Sequence, residues 1–126
     1  MIEHLGRVNP ELAATLRVRI RGPLGEIDVD SVVDTGFDGF LTVPSSIIQR
    51  LGLGSPSLVR VELAGGMEAS LRRFRARAGW GAELREVLVL EAEGGPLIGM
   101  AILKDCTLGI EVWPGGAVRV APRLHG

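Results

Sequence analysis

Between residues 15 and 33 the chain alternates so strictly that only one kind of local structure fits it. Leu16, Val18 and Ile20 fall on one side and Arg17, Arg19 and Arg21 on the other. Gly22-Pro23-Leu24-Gly25 follows, after which Ile27 and Val29 face one way while Glu26, Asp28 and Asp30 face the other. A period of two is that of a half-buried strand, and a glycine–proline cluster between two such runs reverses the chain. The expected element is a β-hairpin with one apolar face. Its second strand runs through Val32 and Val33 straight into a carboxylate, Asp34.

The pattern continues downstream. Residues 40–43 read as a short strand closed by Pro44. Ser45 or Ser46 is placed to N-cap a brief helix over residues 47–51, with Gly52 as its stop. Residues 58–63 alternate again, Ala64-Gly65-Gly66 forms a hairpin tip, and residues 67–78 return as a long strand with Arg73, Arg75 and Arg77 on one face. Residues 83–91 are a further strand with a solid Val87-Leu88-Val89-Leu90 centre. Gly94-Gly95-Pro96 leads into Leu97-Ile98-Gly99-Met100, and a helical turn is expected over residues 101–104. Residues 108–112 and 117–120 close the chain as a hairpin around Trp113-Pro114-Gly115-Gly116. Residues 1–14 are weakly patterned: Asn9-Pro10 is a turn signal, and Glu11-Leu12-Ala13-Ala14 is too short to hold a helix alone. About eight short strands with one or two short helices, and no linker or repeat, make a mostly-β closed barrel over residues 1–126.

The totals exclude several classes. With 126 residues, 46% of them hydrophobic, the chain is long enough for one core. A formal net charge of -1 gives no global attraction to nucleic acid or to an acidic membrane. Cys106 stands alone, so no intrachain disulfide forms. The start of the chain lacks a basic region followed by an apolar run, and no apolar segment approaches the roughly 20 residues of a membrane helix. A cytoplasmic protein with no nucleic-acid or membrane partner is expected.

The chemistry concentrates at Val32-Val33-Asp34-Thr35-Gly36. An ionised Asp at the end of a Val-Val run is costly to bury unless donors surround it or it does chemistry. Thr35 offers a hydroxyl and Gly36 an unscreened backbone N–H. As a bare tripeptide the motif reads first as an ordinary Asx-turn. Its context reverses that reading: Asp38 follows at plus four, a short strand and helix come next, then a glycine-tipped hairpin, and later Leu97-Ile98-Gly99 before a turn.

In that order and spacing the sequence resembles the retropepsin-like (clan AA) aspartic proteases, in particular the small bacterial members with one lobe per chain. The likeness covers roughly residues 15–120. It implies a closed acid-protease barrel with Asp34 as the catalytic aspartate, which with its twin deprotonates a water that attacks a peptide carbonyl. Thr35 matches the residue that braces the two active-site loops, and Gly36 the one that lets substrate backbone approach. Leu97-Ile98-Gly99 matches the apolar-apolar-glycine segment behind the catalytic loop, so Ile98 and Gly99 are support residues. Ala64, Gly65 and Gly66 fall where the family places its flap, and with Gly36, Phe37 and Asp38 they would contact substrate. No cofactor and no metal are implied.

The mechanism needs two carboxylates sharing one proton, and this chain has one Asp-Thr-Gly. The resemblance therefore implies a homodimer with one Asp34 from each copy on a two-fold axis, acting on a peptide or protein substrate. Residues 117–120 and the early residues are the expected interface. Two departures stand out. Position 37 is Phe, where many retroviral members have a small residue. After Gly99 come Met100 and Ala101 rather than an arginine to pair with Asp38, so for Asp38 a grip on substrate backbone and a solvated turn acid both stay open.

Other patterns carry less. Asp28, Asp30 and Asp34 start like a calcium loop, but Val33 and Gly39 occupy positions that need Gly and Glu, and a solvated strand face is the better reading. Arg17, Arg19 and Arg21, and likewise Arg73, Arg75 and Arg77 around Phe74, resemble nucleic-acid strips but are balanced by acids. His4 and His125 near the chain ends, with Cys106, give no metal spacing, and Cys106 reads as a small buried residue. The expectation is an aspartic endopeptidase. The alternative is a non-catalytic β-barrel of the same fold that binds peptide or nucleic acid.

Overall fold

The structure, a computed structural model, describes residues 3–80 and 83–123. Ten strands appear: β1 (His4–Val8), β2 (Ala14–Gly22), β3 (Gly25–Val33), β4 (Leu41–Val43), β5 (Ser57–Glu62), β6 (Glu68–Trp80), β7 (Glu83–Glu91), β8 (Leu97–Ile98), β9 (Cys106–Ile110) and β10 (Ala117–Pro122). One helix, α1 (Ser45–Leu51), follows β4, and a single 3-10 turn over Ala64–Gly66 joins β5 to β6. The hydrogen-bonded order is β5-β6-β7-β4-β8-β3-β2-β1-β10-β9, and β6 also pairs with β2. That extra pairing closes β2, β3, β8, β4, β7 and β6 into a six-stranded barrel, as the alternation predicts. Closure works because β2 shares one edge between two partners. Ala14 and Thr15 pair with β1, whereas Arg19, Ile20 and Arg21 pair with β6.

The core forms where the alternation places it. Leu16, Val18 and Ile20 of β2 meet Val29 of β3, Phe74, Ala76 and Ala78 of β6, Val87 and Val89 of β7 and Ile98 of β8, all buried. On the outer face, Arg17, Arg19 and Arg21 stand directly opposite Asp30, Asp28 and Glu26. Arg17 and Arg19 donate to Asp30 and Asp28 at 2.9 Å, and Arg21 bonds Glu26. The Arg19 guanidinium holds the Asp28 carboxyl below its usual range. These pairs are solvent-exposed, so they fix register more than they add stability.

Several expectations are corrected. Strand β1 lies in the segment whose pattern was weak, because Gly6 and exposed Leu5 blur its alternation and its partner β10 is remote in sequence. Gly6 is required there, since a Cβ would run into the Thr15 carbonyl of β2. The first closing strand spans Cys106–Ile110 rather than residues 108–112, and residues 101–104 form non-helical turns in which Ile102 and Leu103 are buried. Neither Ser45 nor Ser46 caps α1: Pro44 occupies the N-cap, and the Ser45 N–H and hydroxyl both donate to Glu93 Oε1, at 3.2 and 2.8 Å. Gly52 does end the helix, in the left-handed conformation at φ 69°. Cys106 is half-buried rather than buried, packed against the core. His125 lies outside the described residues.

His4 is no frayed terminus. Its ring stacks on Trp80 with centroids 4.9 Å apart and an interplanar angle of 11°. Its Nε2 is buried without a partner. Burial pushes the imidazole below its ordinary 6.5, and the nearby Arg17 carbonyl partly offsets this. The folded state therefore favours the neutral ring, and the associated stability is fully present above pH 6.5 and is lost as pH falls through the lower folded value. His4→Phe keeps the stack and removes the proton. Melting curves should show the wild type losing stability relative to His4→Phe as pH drops below 6.5; parallel curves would refute the role.

Candidate active site

The site is built where three strand ends meet. β3 delivers Asp34, the chain loops through residues 35–40, and β4 returns on the far side of β8. β8 is inserted between them, parallel to β3 with Val32 opposite Leu97 and Val33 opposite Ile98, and antiparallel to β4 with Leu41 opposite Ile98. β8 is thus straddled by the two strands that the loop joins, and the segment after β8 laces the loop through backbone hydrogen bonds. The Asp34 N–H donates to the Ile98 carbonyl at 2.9 Å, and the Gly99 N–H to Phe40 at 2.9 Å. The Met100 N–H donates to Phe37 at 2.8 Å and the Ala101 N–H to Gly39 at 3.0 Å. Met100 and Ala101 therefore serve the loop through backbone, which leaves their side chains free to depart from the expected arginine.

Asp34 itself is half-buried, and its Oδ1 accepts the Gly36 N–H at 3.0 Å. The Phe37 N–H closes the turn on the Asp34 carbonyl at 3.1 Å. Thr35, Gly36 and Asp38 are exposed on the same loop, and Phe37 is half-buried. Among the described residues no cation lies within ion-pair distance of Asp38, in keeping with the missing arginine. The geometry presents one carboxylate, steadied by one backbone donor, with a hydroxyl beside it and solvent in front. Such a group can take a proton from a water or give one to a leaving group.

Ile98 is fully buried beneath the loop, and Gly99 next to it must be glycine. A Cβ there would collide with the Gly39 carbonyl oxygen, which is backbone and cannot swing away, and with the Phe37 ring. At Gly36 a Cβ would stand 3.3 Å from Asp34 Oδ1, a far milder conflict. Gly99→Ala should therefore destabilise the fold by about 1–3 kcal/mol. Urea denaturation measures this, and a change under about 0.5 kcal/mol would contradict it.

Ala64, Gly65 and Gly66 sit at the tip of the β5–β6 hairpin, whose strands pair from Ser57 opposite Arg73 to Glu62 opposite Glu68. Gly65 and Gly66 adopt φ of 84° and 81°, which the tip requires and glycine allows. Two supporting residues escaped the sequence reading. Thr42 is a buried polar residue whose Oγ1 accepts the Leu97 N–H at 3.2 Å, tying β4 to β8. The Pro96 carbonyl accepts the Val32 N–H at 2.9 Å. A hydroxyl inside the apolar trio Leu41-Thr42-Val43 was the available signal, because buried polar atoms have partners.

No family model and no curated protein matches the sequence. Two solved structures resemble the fold. EIAV protease complexed with the inhibitor HBY-793 superposes with a TM-score of 0.60 at 20% identity, over 77% of this chain and 90% of that one. A retropepsin-like aspartic protease from Rickettsia conorii gives a TM-score of 0.56 at 14% identity, over 94% of this chain and 90% of that one. The closed barrel with its single short helix is the retropepsin-like fold.

Proposed function

We propose that this protein is a homodimeric aspartic endopeptidase. The observation that carries the reading is the Asp34 carboxylate held at the start of the loop that joins β3 to β4 around β8, with Thr35 exposed next in the chain. One such carboxylate cannot act as acid and base at once. Two of them a few Å apart share a proton, so one takes a proton from the water while the other donates to the carbonyl oxygen. The second comes from another copy, and Thr35, which makes no side-chain hydrogen bond among the described residues, then braces one loop against the other.

An open sheet edge supports such an assembly. β10 is flanked by β1 and β9, so residues 117–120 have no free edge within the chain. β9 does. Its sequence Cys106-Thr107-Leu108-Gly109-Ile110 has no charged residue, whereas the other edge strand, β5, carries Arg60 and Glu62. Exposed edges are ordinarily protected by charge. An uncharged one fits pairing with its own copy across a two-fold axis.

In this reading the β5–β6 hairpin closes over substrate with Ala64, Gly65 and Gly66 at its tip, and Gly36, Phe37 and Asp38 line the cleft. The test is incubation of the purified protein with an unfolded protein from acid to neutral pH, with products read by mass spectrometry. Internal peptide-bond cleavage that Asp34→Asn abolishes supports the proposal. No cleavage of any substrate by a protein shown to be dimeric counts against it.

A further inference from the structure

The two arginine runs meet different fates. On β2, Arg17, Arg19 and Arg21 each face a carboxylate of β3. On β6, Arg73 and Arg75 lie opposite Leu90 and Leu88, and Arg77 opposite Glu86 without reaching ion-pair distance. Arg77 donates instead to the Leu84 carbonyl at 3.1 Å, and Arg73 Nε is buried with no acceptor. Arg77 also stands directly opposite Arg21, whose own charge is met by Glu26. The second run is therefore a row of cations short of carboxylates.

That row borders a groove of about 590 Å³. The groove lies between the tip of the β2–β3 hairpin, the segment after α1 and the outer face of β6 and β7. Pro23, Phe40, Leu53 and Leu88 make its apolar wall, while Arg21, Arg75 and Arg77 with a single acid, Glu86, make its charged rim. β6 and β7 pair with each other along the groove, and the side chains that line it are what an occupant meets.

We propose that this groove docks an acidic peptide segment with an apolar anchor residue. The anchor packs on Phe40, Leu53 and Leu88, and an adjacent Asp or Glu meets Arg75 and Arg77, supplying the carboxylates that β3 supplies to β2. Charge complementarity and groove size together select this occupant. Phe74, the aromatic residue amid these arginines, is buried in the core and cannot stack on a base, which disfavours single-stranded nucleic acid. The surface stands independently of catalysis at Asp34.

Fluorescence anisotropy of a labelled peptide alternating leucine with aspartate tests the proposal, with a leucine–lysine peptide and a single-stranded oligonucleotide as competitors. Saturable binding should weaken about tenfold in Arg75→Glu and in Leu53→Asp, and stay unchanged in Arg17→Gln on the neutralised run. Circular dichroism checks that each variant is folded, and Arg75, being exposed, is the one expected to stay so. Absence of saturable binding to the wild type overturns the proposal. So does equal weakening by Arg17→Gln, or displacement by the oligonucleotide or the leucine–lysine peptide as effective as by unlabelled leucine–aspartate peptide.

Discussion

Asp34→Asn lowers peptide hydrolysis by at least about a thousandfold while the protein stays folded and paired. The carboxamide has the shape of the carboxylate, and its oxygen still accepts the Gly36 N–H that steadies Oδ1. The remaining bonds of the residue are backbone, from its N–H to Ile98 and from the Phe37 N–H to its carbonyl, and none depends on charge. What is lost is the ability to hold and exchange a proton, and in a symmetric dimer it is lost at both positions together. General acid and base catalysis are each worth about 10²–10⁴-fold, so removing both leaves little beyond binding. The wild type should show a bell-shaped pH dependence whose two apparent values belong to the pair. Parallel titration of cleavage and of melting temperature in the two proteins is the measurement. If the variant cuts as well as the wild type, another group does the chemistry. If neither cuts and both bind the same peptides equally, the barrel is a binding module.

What the sequence made legible was whatever its own neighbours decide. The β2–β3 hairpin is local, and every residue of it sits opposite the partner its alternation implies, from Thr15 with Val32 to Gly22 with Gly25. The glycine at position 99 is likewise decided by its surroundings, since its close approach to the Gly39 carbonyl allows no side chain. The misses are the long-range terms. Glu93 fixes the start of α1 across 48 residues of chain, so no local pattern points to it. β1 is a strand because β10 lies beside it, and His4 finds Trp80 only in three dimensions.

The second large effect is expected at the open edge of β9, where the proposed dimer would pair. The Glu111 N–H donates to Ala117 at 2.9 Å and the Arg123 N–H to Asp105 at 2.8 Å. Antiparallel pairing alternates, so the odd-numbered residues of β9 turn their amides to β10, and Leu108 and Ile110 turn theirs to the open edge, while the Cys106 N–H donates to the Leu103 carbonyl at 3.0 Å. Ile110 is 40% exposed, and Gly109 beside it has open space around the position of a Cβ, so a second strand can approach. Ile110→Pro deletes one outward N–H and leaves the ladder to β10 intact. In a two-fold dimer it strands two acceptors, at about 1–3 kcal/mol each. The dimer should weaken by roughly 30-fold to 10⁴-fold, with activity per chain falling as the dimer dissociates on dilution. The monomer's melting temperature should hardly move, because proline on an open edge removes no internal bond. Sedimentation across a concentration series, run beside the cleavage assay, separates the outcomes. A variant that dimerises as tightly as the wild type places the interface elsewhere, and a strictly monomeric wild type that still cuts peptides removes the need for a second Asp34.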